Sequence, residues 1–344
     1  MKQIQNAELK DKRVLLRADF NVAIENEDAR EAYKIQACKE SLIYLLSQDA
    51  KVALVSHLGR PEGKPNPEFS LRPIADDVER ILGVKIKFVD DCIGEKVEKG
   101  LDELQVNEVL LLENVRFYQG EESNSEEFSR KLSKNFDVFI NDAFSVCHRN
   151  QASVTGVANI LPSYAGFWLQ KEIVNLDKIK NNPEHPAVAI IGGAKIETKL
   201  PLIKSFEKIY DNILVGGKIA NEAIDQKIVF SEKVILPMDF VGDRFDIGDK
   251  TIKKFSEIIK NSKTIVWNGP MGKFEEQKYA IGTEEILKAV MNSGAFTLMG
   301  GGESVELLEE KKVMEKISFV STGGGAMLEY LSGNPMPGIE ALED

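Results

Sequence analysis

The feature that most constrains this chain is a repeated device: a short apolar run that stops on consecutive glycines. Its clearest instance is Ala187-Val-Ala-Ile-Ile-Gly-Gly-Ala-Lys-Ile-Glu-Thr-Lys199. An apolar run this short suits a buried strand. Gly192 and Gly193 permit a tight turn and close backbone approach. If a helix follows, Lys195 and Lys199 lie one turn apart on a shared face. The device recurs downstream. Residues 213–215 run into Gly216-Gly217, residues 296–299 into Gly300-Gly301-Gly302, and residues 318–321 through Thr322 into Gly323-Gly324-Gly325. A further strand, 264–267, ends on Asn268-Gly269-Pro270. Strand, glycine turn and helix start make a place where backbone amides approach a polyphosphate. Tight helix–sheet packing is the other use of such glycines. Neither common nucleotide-binding signature is matched at 192–199.

The first half alternates strands and helices without the glycines. Strands are expected over 13–18, 51–56, 84–89, 108–113 and 137–141, with helices over 34–47, 71–82 and 125–134. This is the pattern of a mostly parallel α/β sheet, whose ligands sit beyond the carboxyl ends of the strands. Four of these strand ends carry polar groups: Asp19 with Asn21, His57 with Arg60, Arg116, and His148 with Arg149. Arginine makes forked contacts with carboxylate and phosphate. Three arginines from three separate loops therefore predict a pocket for a small, multiply anionic molecule. A helix over 164–181 is the expected connector between the halves, because no Gly/Ser-rich linker separates them.

Composition narrows the function class. The chain has 344 residues, 43% hydrophobic and 29% charged, which fits two ordinary globular domains. Its net charge of −11 argues against a nucleic-acid binder, so any anion site is a local cluster on an acidic body. Cys38, Cys92 and Cys147 are odd in number and widely spaced, neither a disulfide framework nor a zinc pattern. No apolar run approaches the roughly 20 residues of a membrane span. The expectation is a cytoplasmic protein that engages neither membrane nor nucleic acid.

An anion pocket in one half and a polyphosphate site in the other point to phosphoryl transfer. Arg17-Ala-Asp-Phe-Asn-Val22, Ser56-His-Leu-Gly-Arg-Pro61, Leu112-Glu-Asn-Val-Arg-Phe117, Asn141-Asp-Ala-Phe144, Gly192-Gly-Ala-Lys195, Trp267-Asn-Gly-Pro270 and Ser321-Thr-Gly-Gly-Gly325 together resemble the phosphoglycerate kinase family, in order and over nearly the whole chain. The resemblance implies two Rossmann-like lobes: 1–163 for phosphoglycerate and 183–325 for nucleotide. The lobes are joined by a helix at 164–182, and a tail at 326–344 returns to the first lobe. It implies a monomer that closes about a hinge, uses Mg²⁺, and interconverts 3-phosphoglycerate with ATP and 1,3-bisphosphoglycerate with ADP.

Carried over residue by residue, the resemblance assigns Asp19, Phe20, Asn21, His57, Leu58, Gly59, Arg60, Arg116 and Arg149 to phosphoglycerate. It assigns Gly192, Gly193, Lys199, Gly216, Gly217, Asn268, Pro270, Glu275, Gly301, Gly302, Glu303 and Ser304 to the nucleotide, with Glu303 on the metal. Lys34, Lys195 and Lys199 take the catalytic positions.

Four departures from the family pattern accompany this. Lys34 stands where the family has a catalytic arginine, with Arg30 nearby as a substitute. Glu303 stands where it has a metal-binding aspartate, and Lys218 follows Gly216-Gly217 in place of a third glycine. The chain is also short between Ala223 and Asp246, on the base side of the nucleotide site. Because these changes cluster at the chemistry, a degenerate kinase that binds ligand with little turnover is the alternative.

Overall fold

The computed structural model describes residues 1–25, 28–29 and 31–343. The chain divides into two compact units, Met1–Glu172 together with the stretch from Pro335 onward, and Ile173–Asn334.

The first unit is built on six parallel strands: β1 (Arg13–Arg17), β2 (Lys51–Val55), β3 (Lys85–Val89), β4 (Glu108–Leu112), β5 (Val138–Asn141) and β6 (Ser163–Ala165), in the order β3-β4-β2-β1-β5-β6. Val14 and Leu16 on one face of β1 and Leu15 on the other are all fully buried. Burial on both faces is why these strands read as continuous apolar runs rather than alternating ones. Register aligns the strand ends: Arg17 pairs with Val55 on one side and Asn141 on the other. The loops carrying Asp19, His57 and Asp142 therefore leave the sheet at one level, flanking the point where the strand order reverses.

The second unit repeats the plan with β7 (Ala187–Ile191), β8 (Asn212–Val215), β9 (Val234–Ile235), β10 (Thr264–Asn268), β11 (Phe296–Gly300) and β12 (Phe319–Ser321), ordered β9-β8-β7-β10-β11-β12. That is the doubly wound order in which ligands bind where β7 and β10 diverge. Ile191 pairs with Val215 and with Asn268, and Gly300 pairs with Ser321. The glycine turns that follow these residues thus line one sheet edge.

Several elements differ from the sequence expectation for local reasons. The helix expected over 34–47 is two, Ala32–Ala37 and Lys39–Ser47, which meet at Cys38 (φ −81°, ψ −1°). The helix over 71–82 opens with a 3-10 turn, Arg72–Ile74, around Pro73, and ends at Gly83 in the left-handed region. Residues 163–165 pair with β5 as an edge strand, so the long helix begins only at Phe167 and runs to Asn181. The division between the units falls inside this helix. Residues 326–332, expected in the tail, belong to the helix Gly324–Ser332 of the second unit. From Pro335 the chain packs on the first unit: Leu342 accepts from the Lys2 amide and Gly338 donates to Cys147. All three cysteines are free and buried.

Candidate active site

In the first unit, burial and loop ties hold the basic groups together. Arg17 is fully buried at the end of β1. Its guanidinium donates to the Ser153 hydroxyl at 3.0 Å, to the Ala18 carbonyl at 2.5 Å and to His57 Nδ1 at 3.1 Å. Ser153 in turn donates from its amide and hydroxyl to the buried Glu121 carboxylate, at 2.9 and 2.7 Å. Because arginine only donates, His57 Nδ1 accepts and the ring proton sits on Nε2. Burial first, and then Arg17, Arg116, Arg149 and Lys34, push the His57 pKa well down. His57 is a neutral donor held among cations.

Arg116 is set by Asn114, whose buried side chain accepts from the Arg116 amide and donates to the carbonyls of Leu58 and Phe69. One Arg116 nitrogen donates to the Gly59 carbonyl at 2.6 Å. Its Nε and Nη2 are buried and make no hydrogen bond among the described residues, and Nε lies 3.7 Å from the exposed Glu122 carboxylate. Burial, reinforced by Arg149 and Arg17, lowers the Arg116 pKa to about 10. Arg149 is likewise lowered by burial and then by Arg60. Arg60, Arg116 and Arg149 thus converge, as their strand-end positions led us to expect. Desolvated, mutually repelling guanidiniums with spare donors have the chemistry that suits a polyanion.

The loops around them are organised by Asn21. Its side chain accepts from the Gly59 amide at 2.9 Å, and Asp19 accepts from the Asn21 amide at 3.0 Å. Gly59 has φ +59°, and a Cβ there would meet the Phe69 ring at 2.3 Å. The side chains of Phe20 and Leu58 belong to the hydrophobic core and support the pocket from behind. Lys34 is not free. Its ammonium lies 2.6 Å from the Glu31 carboxylate and donates to the Asn21 carbonyl at 3.1 Å. Arg30 lies outside the described residues.

In the second unit the glycines divide into two groups. The amides of Gly192, Gly193, Gly216 and Gly217 are spent on Asn268, Pro270, Ile191 and Met271. A Cβ on Gly192 would meet the Pro270 carbonyl at 2.0 Å, and one on Gly217 the Gly193 amide at 2.8 Å. These glycines let neighbouring turns touch, so their amides are not available to a phosphate. It is the reading of these amides as free donors that fails; Gly192 and Gly193 still line one cavity of this unit, and Gly193 and Gly217 another. Gly302 and Gly325 behave differently. They open the helices Gly302–Glu310 and Gly324–Ser332, neither of which has a capping side chain, and a Cβ on either would meet nothing within 4 Å. First-turn amides with no helical acceptor, at the positive end of a helix, suit an anion.

Those helix starts line a cavity of about 390 Å³ together with Lys195, Lys199, Asn268, Glu303 and Ser304. Lys199 is buried and donates to the Asn268 side chain. Burial pulls its pKa down to about 8, and the opposing influence of Glu303 places that carboxylate nearby. Asn268 is held by donating to Gly300 at 2.7 Å, and the Ser304 hydroxyl accepts from the Gly269 amide at 2.9 Å. Gly193, Ala194 and Glu303 also line a second, larger cavity of about 870 Å³, which reaches Pro270, Glu275 and Asn221. Gly216 lies behind it, packed on Met271. Among the described residues no three His, Cys, Asp or Glu side chains gather as a metal cage. A magnesium ion carried on phosphates needs only one or two carboxylates, and Glu303 at the junction of the two cavities meets that requirement.

Comparison with known proteins decides the family. The phosphoglycerate kinase family matches residues 4–229 and 231–334. The chain belongs to the phosphoglycerate kinase family. A phosphoglycerate kinase of Borrelia hermsii is 38% identical over all of this chain and 99% of its own length, in an alignment of 389 positions that leaves this 344-residue chain the shorter partner. One from Finegoldia magna is also 38% identical over the full chain. Solved phosphoglycerate kinases from Pyrococcus horikoshii (TM-score 0.89, 29% identity) and Coxiella burnetii (TM-score 0.82, 31% identity) each cover 99% of this chain, which covers 98% of theirs. The break in the family match, at residue 230, falls within the shortened 223–246 stretch.

Sequence reasoning missed Arg17, Asn114 and the Ser153–Glu121 pair. A basic residue inside an apolar strand was the available signal for Arg17, since a buried arginine needs partners.

Proposed function

We propose that this phosphoglycerate kinase homologue transfers a phosphoryl group reversibly between ATP and the carboxylate of 3-phosphoglycerate, giving ADP and 1,3-bisphosphoglycerate. The observation that carries the reading is Arg116, buried beside Arg149 and Arg17 with two of its nitrogens making no hydrogen bond among the described residues and, in contact, only the exposed Glu122 carboxylate, 3.7 Å from Nε, as counter-charge. Such a group calls for an anionic partner. Arg60, Arg116 and Arg149 hold the phosphoglycerate, with His57 Nε2–H and the Asp19–Asn21 loop orienting it. Lys195, Lys199 and the amides opening the helices at Gly302 and Gly324 take the nucleotide phosphates. Glu275 takes the ribose, and Glu303 would hold Mg²⁺, which would supply charge neutralisation on the phosphates. The carboxylate oxygen attacks the γ-phosphorus as the bond to the ADP oxygen breaks, so no proton has to be removed. This accords with the neutral state of His57. What remains for the protein is alignment and charge neutralisation. Lys34 keeps a positive charge in the pocket but lacks an arginine's fork, and Glu31 shares it. The same reading makes the protein a cytoplasmic monomer of glycolysis and gluconeogenesis. No observation favours a degenerate kinase that binds without turnover.

The test is a coupled assay with 3-phosphoglycerate, ATP and Mg²⁺. Turnover that collapses in Arg149→Ala and Lys199→Ala supports the function. Tight binding of both ligands with no turnover in either direction overturns it.

A further inference from the structure

We propose that Glu31 is a positioning residue for phosphoryl transfer: it holds the Lys34 ammonium at one place in the anion pocket, giving a lysine the fixed aim that an arginine's planar fork has by itself. The inference rests on the proposed function, in which Lys34 is one of the pocket's cations. Its charge acts on His57 together with those of Arg17, Arg116 and Arg149. A lysine ammonium is a point charge on a flexible stem, so without fixed partners its position is not defined. Lys34 has two partners. Its Nζ lies 2.6 Å from Glu31 Oε1 and donates to the Asn21 carbonyl at 3.1 Å, reaching back across 13 residues. An ammonium carries three N–H groups, so two partners fix it and one N–H is left for a ligand.

Glu31 is itself held. Its other carboxylate oxygen accepts from the Ala23 amide at 3.3 Å, so both oxygens are engaged. Its backbone lies in the left-handed region, at φ +56° and ψ +42°, just ahead of the helix Ala32–Ala37. A non-glycine residue keeps that conformation only where its surroundings over-determine it, and such residues gather at functional sites. The pair is also shielded. The side chains of Lys34 and Glu31 are 13% and 23% exposed, against 68% and 76% for the surface pair Arg130–Glu126. Water and salt screen the surface pair and loosen it, while the shielded one keeps its geometry. Asn21, the second partner, is the residue whose side chain accepts from the Gly59 amide and whose own amide donates to Asp19. The Lys34 ammonium is therefore fixed relative to the loops that form the pocket.

Steady-state kinetics of the full chain with 3-phosphoglycerate, ATP and Mg²⁺, compared among Glu31→Gln, Lys34→Arg and the double variant, test the role. Glu31→Gln is expected to lower kcat about tenfold while the KM for 3-phosphoglycerate changes less than about twofold, because alignment is lost rather than binding. In the Lys34→Arg background the same substitution is expected to cost less than about twofold, since a guanidinium brings its own fork. An unchanged or raised kcat in Glu31→Gln overturns the proposal. So does an equal loss in both backgrounds, which would make Glu31 a support of its loop alone. A second readout needs no turnover. An ammonium held by acceptors exchanges its protons slowly enough to give a nitrogen–proton resonance by NMR, and the one that Lys34→Arg removes is expected to vanish in Glu31→Gln as well. Its absence from the unmodified protein overturns the proposal whether or not the variants fold, and its survival in Glu31→Gln overturns it too. A chain that shows Lys34 held in this way yet never phosphorylates 3-phosphoglycerate overturns the proposed function and leaves the grip of Glu31 on Lys34 standing.

Discussion

Under the proposed function, the two units solve the same problem, gripping a polyanion at the carboxyl edge of a parallel sheet, with different materials. In the first unit the grip is made of side chains: buried guanidiniums whose burial is tolerated because Arg17 leans on Glu121 through Ser153, and Arg116 on Asn114. In the second it is made of backbone. Glycines without Cβ atoms bring turns into contact, and two uncapped helix starts supply amides. A charged side chain must be desolvated before it can act, so its site depends on partners arriving from many loops. A helix start needs only its own strand–turn–helix unit. The first kind of site is vulnerable at its supports, and the second at any atom that intrudes on the turns.

Substitutions can break this contrast at graded strengths. The largest expected effect is Arg17→Ala, which strips Glu121 of its buried counter-charge. Urea unfolding should show a loss of about 3–5 kcal/mol, and a loss below about 1 kcal/mol would mean that the relay supports nothing. Next comes a pair in the second unit. Gly192→Ala forces a Cβ onto the Pro270 carbonyl and should cost about 1–3 kcal/mol. Gly302→Ala meets open space, so it should leave stability unharmed while weakening ADP binding. If both variants behaved alike, the division of the glycines into packing and binding groups would be wrong.

A smaller effect concerns Lys199. With a pKa lowered to about 8 by burial, it is charged below that pH and loses its proton as pH rises through it. ADP affinity should therefore fall above about pH 8, by at most about tenfold per pH unit. In Lys199→Arg, charged throughout, the fall should disappear. An unmodified protein whose ADP affinity stays flat from pH 7 to about pH 9.5 would contradict the assignment. The smallest effect is at Glu303→Asp, expected to change the rate within about tenfold and to shift Mg²⁺ dependence. An unchanged rate together with unchanged Mg²⁺ dependence removes Glu303 from the metal.

The parallel α/β architecture and the membership of each strand-end motif were legible because they are local. A run such as 187–191 is apolar throughout when both faces of a strand are covered, and Gly-Gly at its end is needed wherever turns meet. The convergence of Arg60, Arg116 and Arg149 was legible too, since parallel strands in register deliver their carboxyl ends to one edge. Three things were not legible, all of them relations between residues far apart in the chain. One is which glycine amides remain unspent. Gly192 and Gly193 read as phosphate binders until Asn268 and Pro270, about 80 residues later, are found accepting from them. Another is the state of Lys34, whose charge is shared with Glu31. The third is the shifted acidity of His57 and Lys199. Composition and spacing determine which groups reach an edge; desolvation and hydrogen-bond partners, set only when the chain has packed, determine what those groups have left to offer.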